Sequence, residues 1–148
     1  MEKIKTLVVE NESQLQRCLA IRREVFIEEQ QVPEELEIDE YDVIGSATSH
    51  VLVTDSEQDM ATGRLTKYPD GSAKMQRIAV RSAYRGTGLG RVLVQAMEQA
   101  ATAIGCQRSV LDSQCHAEGF YRSLGYRTLP GEPFYDAGIL HVRMEKDL

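Results

Sequence analysis

The chain has 148 residues, 42% hydrophobic and 27% charged, which fits one domain around a single core with an ordinary globular composition. Its formal net charge is −6 and no basic stripe runs against that field, which argues against nucleic acid and mildly favours cationic partners such as amines. No apolar run approaches the ~18 residues of a membrane span, and Met1–Lys5 enter a strand-like pattern with no signal-peptide apolar region, so a cytosolic protein is expected.

Lys3 to Glu10 alternates as a strand does. Asn11 followed by Gln14 resembles a capping box, and Leu15, Cys18, Leu19, Val25 and Phe26 recur at helical spacing, so a helix is predicted to end near Gln30, before Pro33. Pro33 to Asp42 carries Glu34, Glu35, Glu37, Asp39, Glu40 and Asp42 and reads as an acidic loop with room for one helical turn. Ser49–Thr54, Met60–Lys67 and Ala73–Val80 follow as strands of an antiparallel meander, joined by the turn-rich segments Asp55–Asp59 and Tyr68–Gly71. Gly88 to Ile104 is the clearest helix: Leu89, Val92, Leu93, Ala96, Met97 and Ala100 share one face, and Gly105 stands just past its end. A short buried strand at Ser109–Leu111, a helix at Ala117–Leu124 closed by Gly125, and strands at Tyr126–Leu129 and Ile139–Met144 complete the chain, with Pro130–Pro133 as a loop. The order β-α-β-β-β-α-β-α-β-β predicts a mixed α/β sheet, mostly antiparallel, in which the strand–helix–strand unit from Ala73 to Leu111 supplies a parallel pair. No linker or repeat divides residues 1–148, so one domain is expected.

Cys18, Cys106 and Cys115 are odd in number and widely spaced, without a C-x-x-C pair, and read as small hydrophobes. His50, His116 and His141 are dispersed with no ligand spacing, so no metal site is expected. Cys115 and His116 are adjacent on an extended segment and would point to opposite faces, which disfavours a nucleophilic dyad; His116 or Gln114 is expected to cap the following helix or to touch a ligand.

The chemistry concentrates after the third meander strand, where Gln76-Arg77-Ile78-Ala79-Val80 leads through Arg81–Tyr84 into Arg85-Gly86-Thr87-Gly88-Leu89-Gly90-Arg91. Glycines let the backbone approach a ligand, and the unpaired amides and dipole of a helix N-terminus attract anions, so this is a candidate diphosphate site to which Arg85 and Arg91 can add charge. A dinucleotide fingerprint would require glycine where Arg91 stands, and a P-loop would require G-K-[ST], which is missing.

The pattern Arg85-x-x-Gly88-x-Gly90 after Arg77-Ile78-Ala79-Val80 resembles the signature of the GNAT superfamily of N-acetyltransferases. Phe120-Tyr121-Arg122-Ser123-Leu124-Gly125-Tyr126 is similar to a second segment of that superfamily. Arg22–Gln30, Glu37-x-Asp39-x-x-Asp42 and Ala137-Gly138-Ile139-Leu140-His141-x-x-Met144 resemble its ElaA-type/YjcF-type branch. The resemblance implies the acyl-CoA N-acyltransferase fold, acetyl-CoA as acyl donor, and a pantetheine arm between two splayed parallel strands, Lys74–Val80 and Ser109–Leu111. Ile78, Ala79 and Val80 would face that arm, the amides from Arg85 to Gly90 would hold the pyrophosphate, and Tyr121 would be the general acid toward the thiolate. An N–H near Ala79 or Val80 would face the thioester oxygen.

The base is left open, because the strand before the loop carries Gln76 and Arg77 where members often have a glutamate. Candidates are Glu28, Glu29, Glu37, Asp39, Asp42 and His50, of which Glu29, Asp39, Asp42 and His50 are taken as the acceptor-binding set. The expected function is acetyl transfer to a primary amine, small or peptidic; the alternatives are a non-catalytic acetyl-CoA-binding module and an enzyme for longer acyl chains. Homodimers are common in the superfamily, but no sequence feature requires one.

Overall fold

The structure, a computed structural model, describes residues 3–55 and 57–148. β1 (Lys5–Val8) precedes α1 (Glu12–Arg22), which runs directly into a π-helical segment, Arg23–Glu29, and after a break into the single turn α2 (Glu34–Glu37). β2 (Thr48–Thr54), β3 (Asp59–Lys67) and β4 (Ser72–Val80) form the antiparallel meander. α3 (Leu89–Ala103) then crosses to β5 (Arg108–Gln114), and α4 (Glu118–Ser123) leads to β6 (Arg127–Thr128), β7 (Phe134–Asp136) and β8 (Ile139–Asp147). The strands make one sheet in the order β1-β2-β3-β4-β5-β8-β6, with β7 also on β8; β4–β5 is parallel and the other pairs are antiparallel. The mixed architecture expected from the element order is therefore present.

Local chemistry sets the ends of these elements. Asn11 caps α1 by accepting the Gln14 amide at 2.9 Å, while the Gln14 side chain takes the Glu10 amide at 2.7 Å, one residue before the Asn11 amide that a strict capping box would use. The predicted helix through Gln30 differs in kind: beyond Arg22 the bonds widen, with Gln30 N–H reaching Val25 C=O and Val32 N–H reaching Phe26 C=O. A strand absent from the sequence reading, β7, pairs with β8 through a two-residue turn in which Ala137 and Gly138 both have positive φ (50° and 79°), as the tightest hairpins require. The strand predicted at Ser109–Leu111 continues to Gln114.

Alternation along the strands sends side chains to two layers. Val51, Val53, Ala61, Leu65 and Met75 pack against Leu93, Val94 and Met97 of α3 on one face, while Leu52 and Ala79 meet Cys18, Ile21 and Val25 on the other. Gly63 permits the closest approach, since a Cβ there would lie 2.5 Å from Met97 Sδ. Among the described residues no helix is long and apolar enough to cross a membrane.

Candidate active site

The parallel pair β4–β5 is short. Its register runs from Ser72 opposite Arg108 to Met75 opposite Leu111, and beyond those residues the two strands part. The cause lies in β4, where Arg77 adopts φ 56° and the pairing with β3 slips from Arg64–Gln76 to Thr62–Ala79, a bulge that turns the strand away. Such backbone in a non-glycine residue is strained and must be held by its surroundings. Here Arg77 donates to the carbonyls of Leu36 (3.0 Å) and Glu37 (3.2 Å) and pairs with the Glu37 carboxylate at 3.1 Å.

The parting strands open a cleft of about 460 Å³. Ile78, Ala79 and Val80 form one wall with no strand partner on the β5 side; Val25 and Phe26 of the π-helical segment stand on another, and Tyr121 of α4 on a third. Gln30 and Gln114 meet across it at 3.0 Å. Arg85 reaches the cleft edge from the glycine-rich loop, donating to Val80 C=O at 2.9 Å and pairing with Glu29 at 2.9 Å. That pair is half-exposed and worth at most about 1 kcal/mol, so a diphosphate can displace Glu29 from it.

Within the loop the glycines have separate tasks. Gly86 and Gly88 have φ of 76° and 86°, with nothing within 4 Å of where a Cβ would stand, so they shape the turn and leave its outer side open. Gly90 is instead a packing residue: a Cβ would come 3.0 Å from Phe120 Cζ, which joins α3 to α4. Thr87 is tied by its hydroxyl to Tyr84 C=O, Leu89 is buried core, and Arg91 is exposed.

Tyr121 is 8% exposed, with its ring edge-on to Phe120 and Tyr126. The two tyrosines contrast. The Tyr126 hydroxyl is bound by Ser109 at 2.7 Å and Glu98 at 2.9 Å, whereas that of Tyr121 has no hydrogen-bond partner among the described residues. Burial pushes the Tyr121 phenol above its usual value, so it keeps its proton across the neutral range and has one to donate.

Glu34, Glu35 and Glu40 of the acidic stretch are exposed, but its other three acids are taken up by arginines. Buried Arg22 pairs with Glu37 (2.9 Å) and Asp42 (2.6 Å), and buried Arg64 pairs with Asp42 (2.9 Å) and Asp39 (2.7 Å), so arginines of α1, β3 and β4 clamp α2 and its following loop. Burial tends to raise the Asp42 carboxyl, but the Arg22 and Arg64 guanidinium groups and the Asp39 amide outweigh it and hold it well below the usual carboxylate range. His50 is buried beside them, 3.3 Å from Tyr41 C=O, and desolvation lowers its pKa. Of the acceptor-binding set, Glu29 stands exposed beside Arg85, and none of Glu29, Asp39, Asp42 and His50 lines the cleft. Of the base candidates Glu37 does line it, with both carboxylate oxygens engaged by Arg22 and Arg77; Glu28 is exposed.

Several cleft residues lay outside the sequence reading. Lys74 and Asp112 line the cleft, paired at 2.8 Å, with Arg143 holding Asp112 from outside it at 2.9 Å, and Asp136, Ile139 and His141 come from the β7–β8 hairpin. The stretch from Ala137 to Met144 marked this region, but only the pairing of β5 with β8 brings it to the cleft. Gln114 and His116 also line it, 2.6 Å apart, and neither provides the side-chain cap expected for α4. The three cysteines are free, and among the described residues no group of three or more His, Cys, Asp or Glu side chains is placed to hold a metal.

Comparison with known proteins agrees with this geometry. The profile of the acetyltransferase (GNAT) domain matches residues 6–148. A Bacillus subtilis protein described as the uncharacterized N-acetyltransferase YjcF is 39% identical over 144 residues, covering 97% of this chain and 100% of its own. Among solved structures, an acyl-CoA N-acyltransferase from Pseudomonas aeruginosa superposes with a TM-score of 0.85 at 27% identity, covering 97% of this chain and 99% of that one. Escherichia coli ElaA superposes with a TM-score of 0.83 at 27% identity, covering 99% of both.

Proposed function

The chain belongs to the GNAT acetyltransferase family, in its ElaA/YjcF-type branch, and on that premise we propose that it moves the acetyl group of acetyl-CoA to a primary amine. The observation that carries this reading is one cleft lined by the bare edge of β4 beyond Met75, by Tyr121 with its hydroxyl unpartnered among the described residues, and by Arg85, which starts the loop whose Gly86 and Gly88 are open on their outer side.

The pantetheine arm would pair with the backbone of Ile78–Val80, and the pyrophosphate would rest on the amides from Arg85 to Gly90, with Arg85 released from Glu29. An N–H near Ala79 or Val80 would then face the thioester oxygen, where a preorganised donor lowers the barrier by about 3 kcal/mol. The amine attacks the carbonyl carbon and the tetrahedral intermediate expels the thiolate, which takes the Tyr121 proton. Asp39 and Asp42 serve the acceptor side indirectly, by anchoring the loop after α2 to Arg22 and Arg64, His50 braces that loop at Tyr41 C=O, and Glu29 serves the glycine-rich loop through Arg85.

The test is a panel of amines supplied with acetyl-CoA, read by release of free CoA. Release with at least one amine is expected. Binding of acetyl-CoA without release on any amine would favour the non-catalytic module, and faster turnover of a longer acyl-CoA would reassign the donor. Tyr121→Phe should cut turnover about 100-fold, the lower range for a general acid, while leaving the dissociation constant for acetyl-CoA unchanged. Undiminished turnover would remove Tyr121 from the mechanism.

A further inference from the structure

An amine that attacks a thioester sheds a proton, and the paired carboxylates of the cleft are poorly placed to take it. Glu37 is held by Arg22 and Arg77, and Asp112 by Lys74 and Arg143. Asp136 is exposed at the hairpin tip. His141 differs from all of these. Its ring is 9% exposed, stacks on Phe134 with centroids 6.1 Å apart, and lines the cleft. Nδ1 lies 2.7 Å from Ile139 C=O. A carbonyl only accepts, so Nδ1 carries the hydrogen and Nε2 is the nitrogen left to take a proton. Nε2 has no hydrogen-bond partner among the described residues.

The height of the ring also suits the task. His141 is paired with Gln114, three residues past Leu111, where β5 loses β4. At about 3.3 Å per residue, that is about 10 Å above the last shared rung, the level β4 reaches at Ala79 because its bulge takes up one residue. The thioester is placed at this level by the proposed mode of donor binding.

We propose that His141 is the general base of the acetyl transfer, an inference that rests on the function proposed above. As the N–C bond forms, Nε2 takes the amine proton; as the C–S bond breaks, the Tyr121 hydroxyl gives its proton to the sulfur. The imidazolium then releases its proton to water and the phenolate regains one, so an amide and a free thiol are the only net products. The Ile139 carbonyl fixes the ring's orientation and its tautomer. The titratable and charged groups around the ring are Asp136 on β7, Asp112 on β5 with Lys74 on β4 and Arg143 on β8, Glu37 with Arg77 across the cleft, and His116 just after β5.

His141→Ala and His141→Gln should unfold near the wild-type temperature and keep wild-type affinity for acetyl-CoA. Both should lose about 100-fold in kcat, with the KM for the amine little changed and the acid limb of the pH profile removed. Imidazole added to the buffer should restore part of the rate of His141→Ala, whose missing ring leaves room for it, and none of His141→Gln. Nitrogen-15 NMR of the wild type should show the hydrogen of the neutral ring on Nδ1 and not on Nε2. Undiminished kcat in both variants, rescue by glutamine in place of imidazole, or a proton on Nε2 with Nδ1 bare would overturn the assignment while leaving acetyl transfer standing. A wild type that binds acetyl-CoA but acetylates no amine would instead remove the transfer itself, and the base with it.

Discussion

Asp42→Asn should destabilise the fold by about 3–5 kcal/mol, the range for breaking a buried ion pair from one side. The Asp42 side chain is 1% exposed, and its oxygens accept from Arg22 Nη1 (2.6 Å) and Nη2 (3.0 Å), Arg64 Nη1 (2.9 Å) and the Asp39 amide (2.9 Å). Asparagine keeps the shape but turns an NH2 toward these donors, leaving two buried guanidinium groups short of a counter-charge. The loss should appear in the urea-unfolding free energy at pH 7. Glu29→Gln, which breaks only the half-exposed pair with Arg85, should cost less than about 1 kcal/mol. The pH dependence follows from the sign of the Asp42 shift. Its carboxyl is depressed in the folded state, so its contribution is complete above the unfolded value of about 4 and fades as pH falls toward the folded one. Asp42→Asn should therefore lose stability less steeply on acidification than the wild type. An equal cost for Asp42→Asn and Glu29→Gln would mean that the clamp carries no more than a surface pair does.

The same residues show where the sequence is silent. Six acids in ten residues read as a solvated loop because the arginines that pair with three of them arrive from α1, β3 and β4, and no local rule predicts that convergence. The glycine-rich loop was legible because its chemistry is local: strand, turn and helix N-terminus are consecutive, and Gly86 and Gly88 do have the positive φ that such a turn requires. What the local pattern could not show is the second constraint on Gly90, its contact with Phe120, thirty residues on. The Asn11 cap was legible for the same reason, whereas the π-helical segment keeps the apolar spacing of an α-helix and could not be told from one. β7 is three residues long and gains its pairing only from β8, so nothing in Phe134–Asp136 alone marks a strand. His141 went unassigned to the cleft for a similar reason. Its place depends on the register of β8 against β5, a long-range property.

Gly88→Asp should abolish acetyl-CoA binding while leaving the chain folded. Wild-type protein at acetyl-CoA near one hundred times its dissociation constant should gain about 2.7 kcal/mol, or ~5–10 °C in melting temperature for a domain of this size. The variant should show no shift. Its own melting temperature should fall modestly, since an aspartate at φ 86° carries a left-handed penalty of about 1–2 kcal/mol but meets no atom within 4 Å of its Cβ. That open space makes the experiment discriminating. The carboxylate would stand in front of the first amides of α3, satisfying from within the chain the anion preference that a pyrophosphate would otherwise satisfy, and repelling the pyrophosphate by like charge. Gly88→Ala separates the two causes: it carries the same backbone strain without the charge, so it should lose the same folding stability yet keep most of the ligand-induced shift. Gly90→Ala would not serve, because its methyl group presses on Phe120 and would disturb the junction of α3 and α4 before any ligand arrived. A full thermal shift in Gly88→Asp would place the diphosphate away from the α3 N-terminus, and the alignment of loop, bare β4 edge and Tyr121 would then no longer describe one binding path.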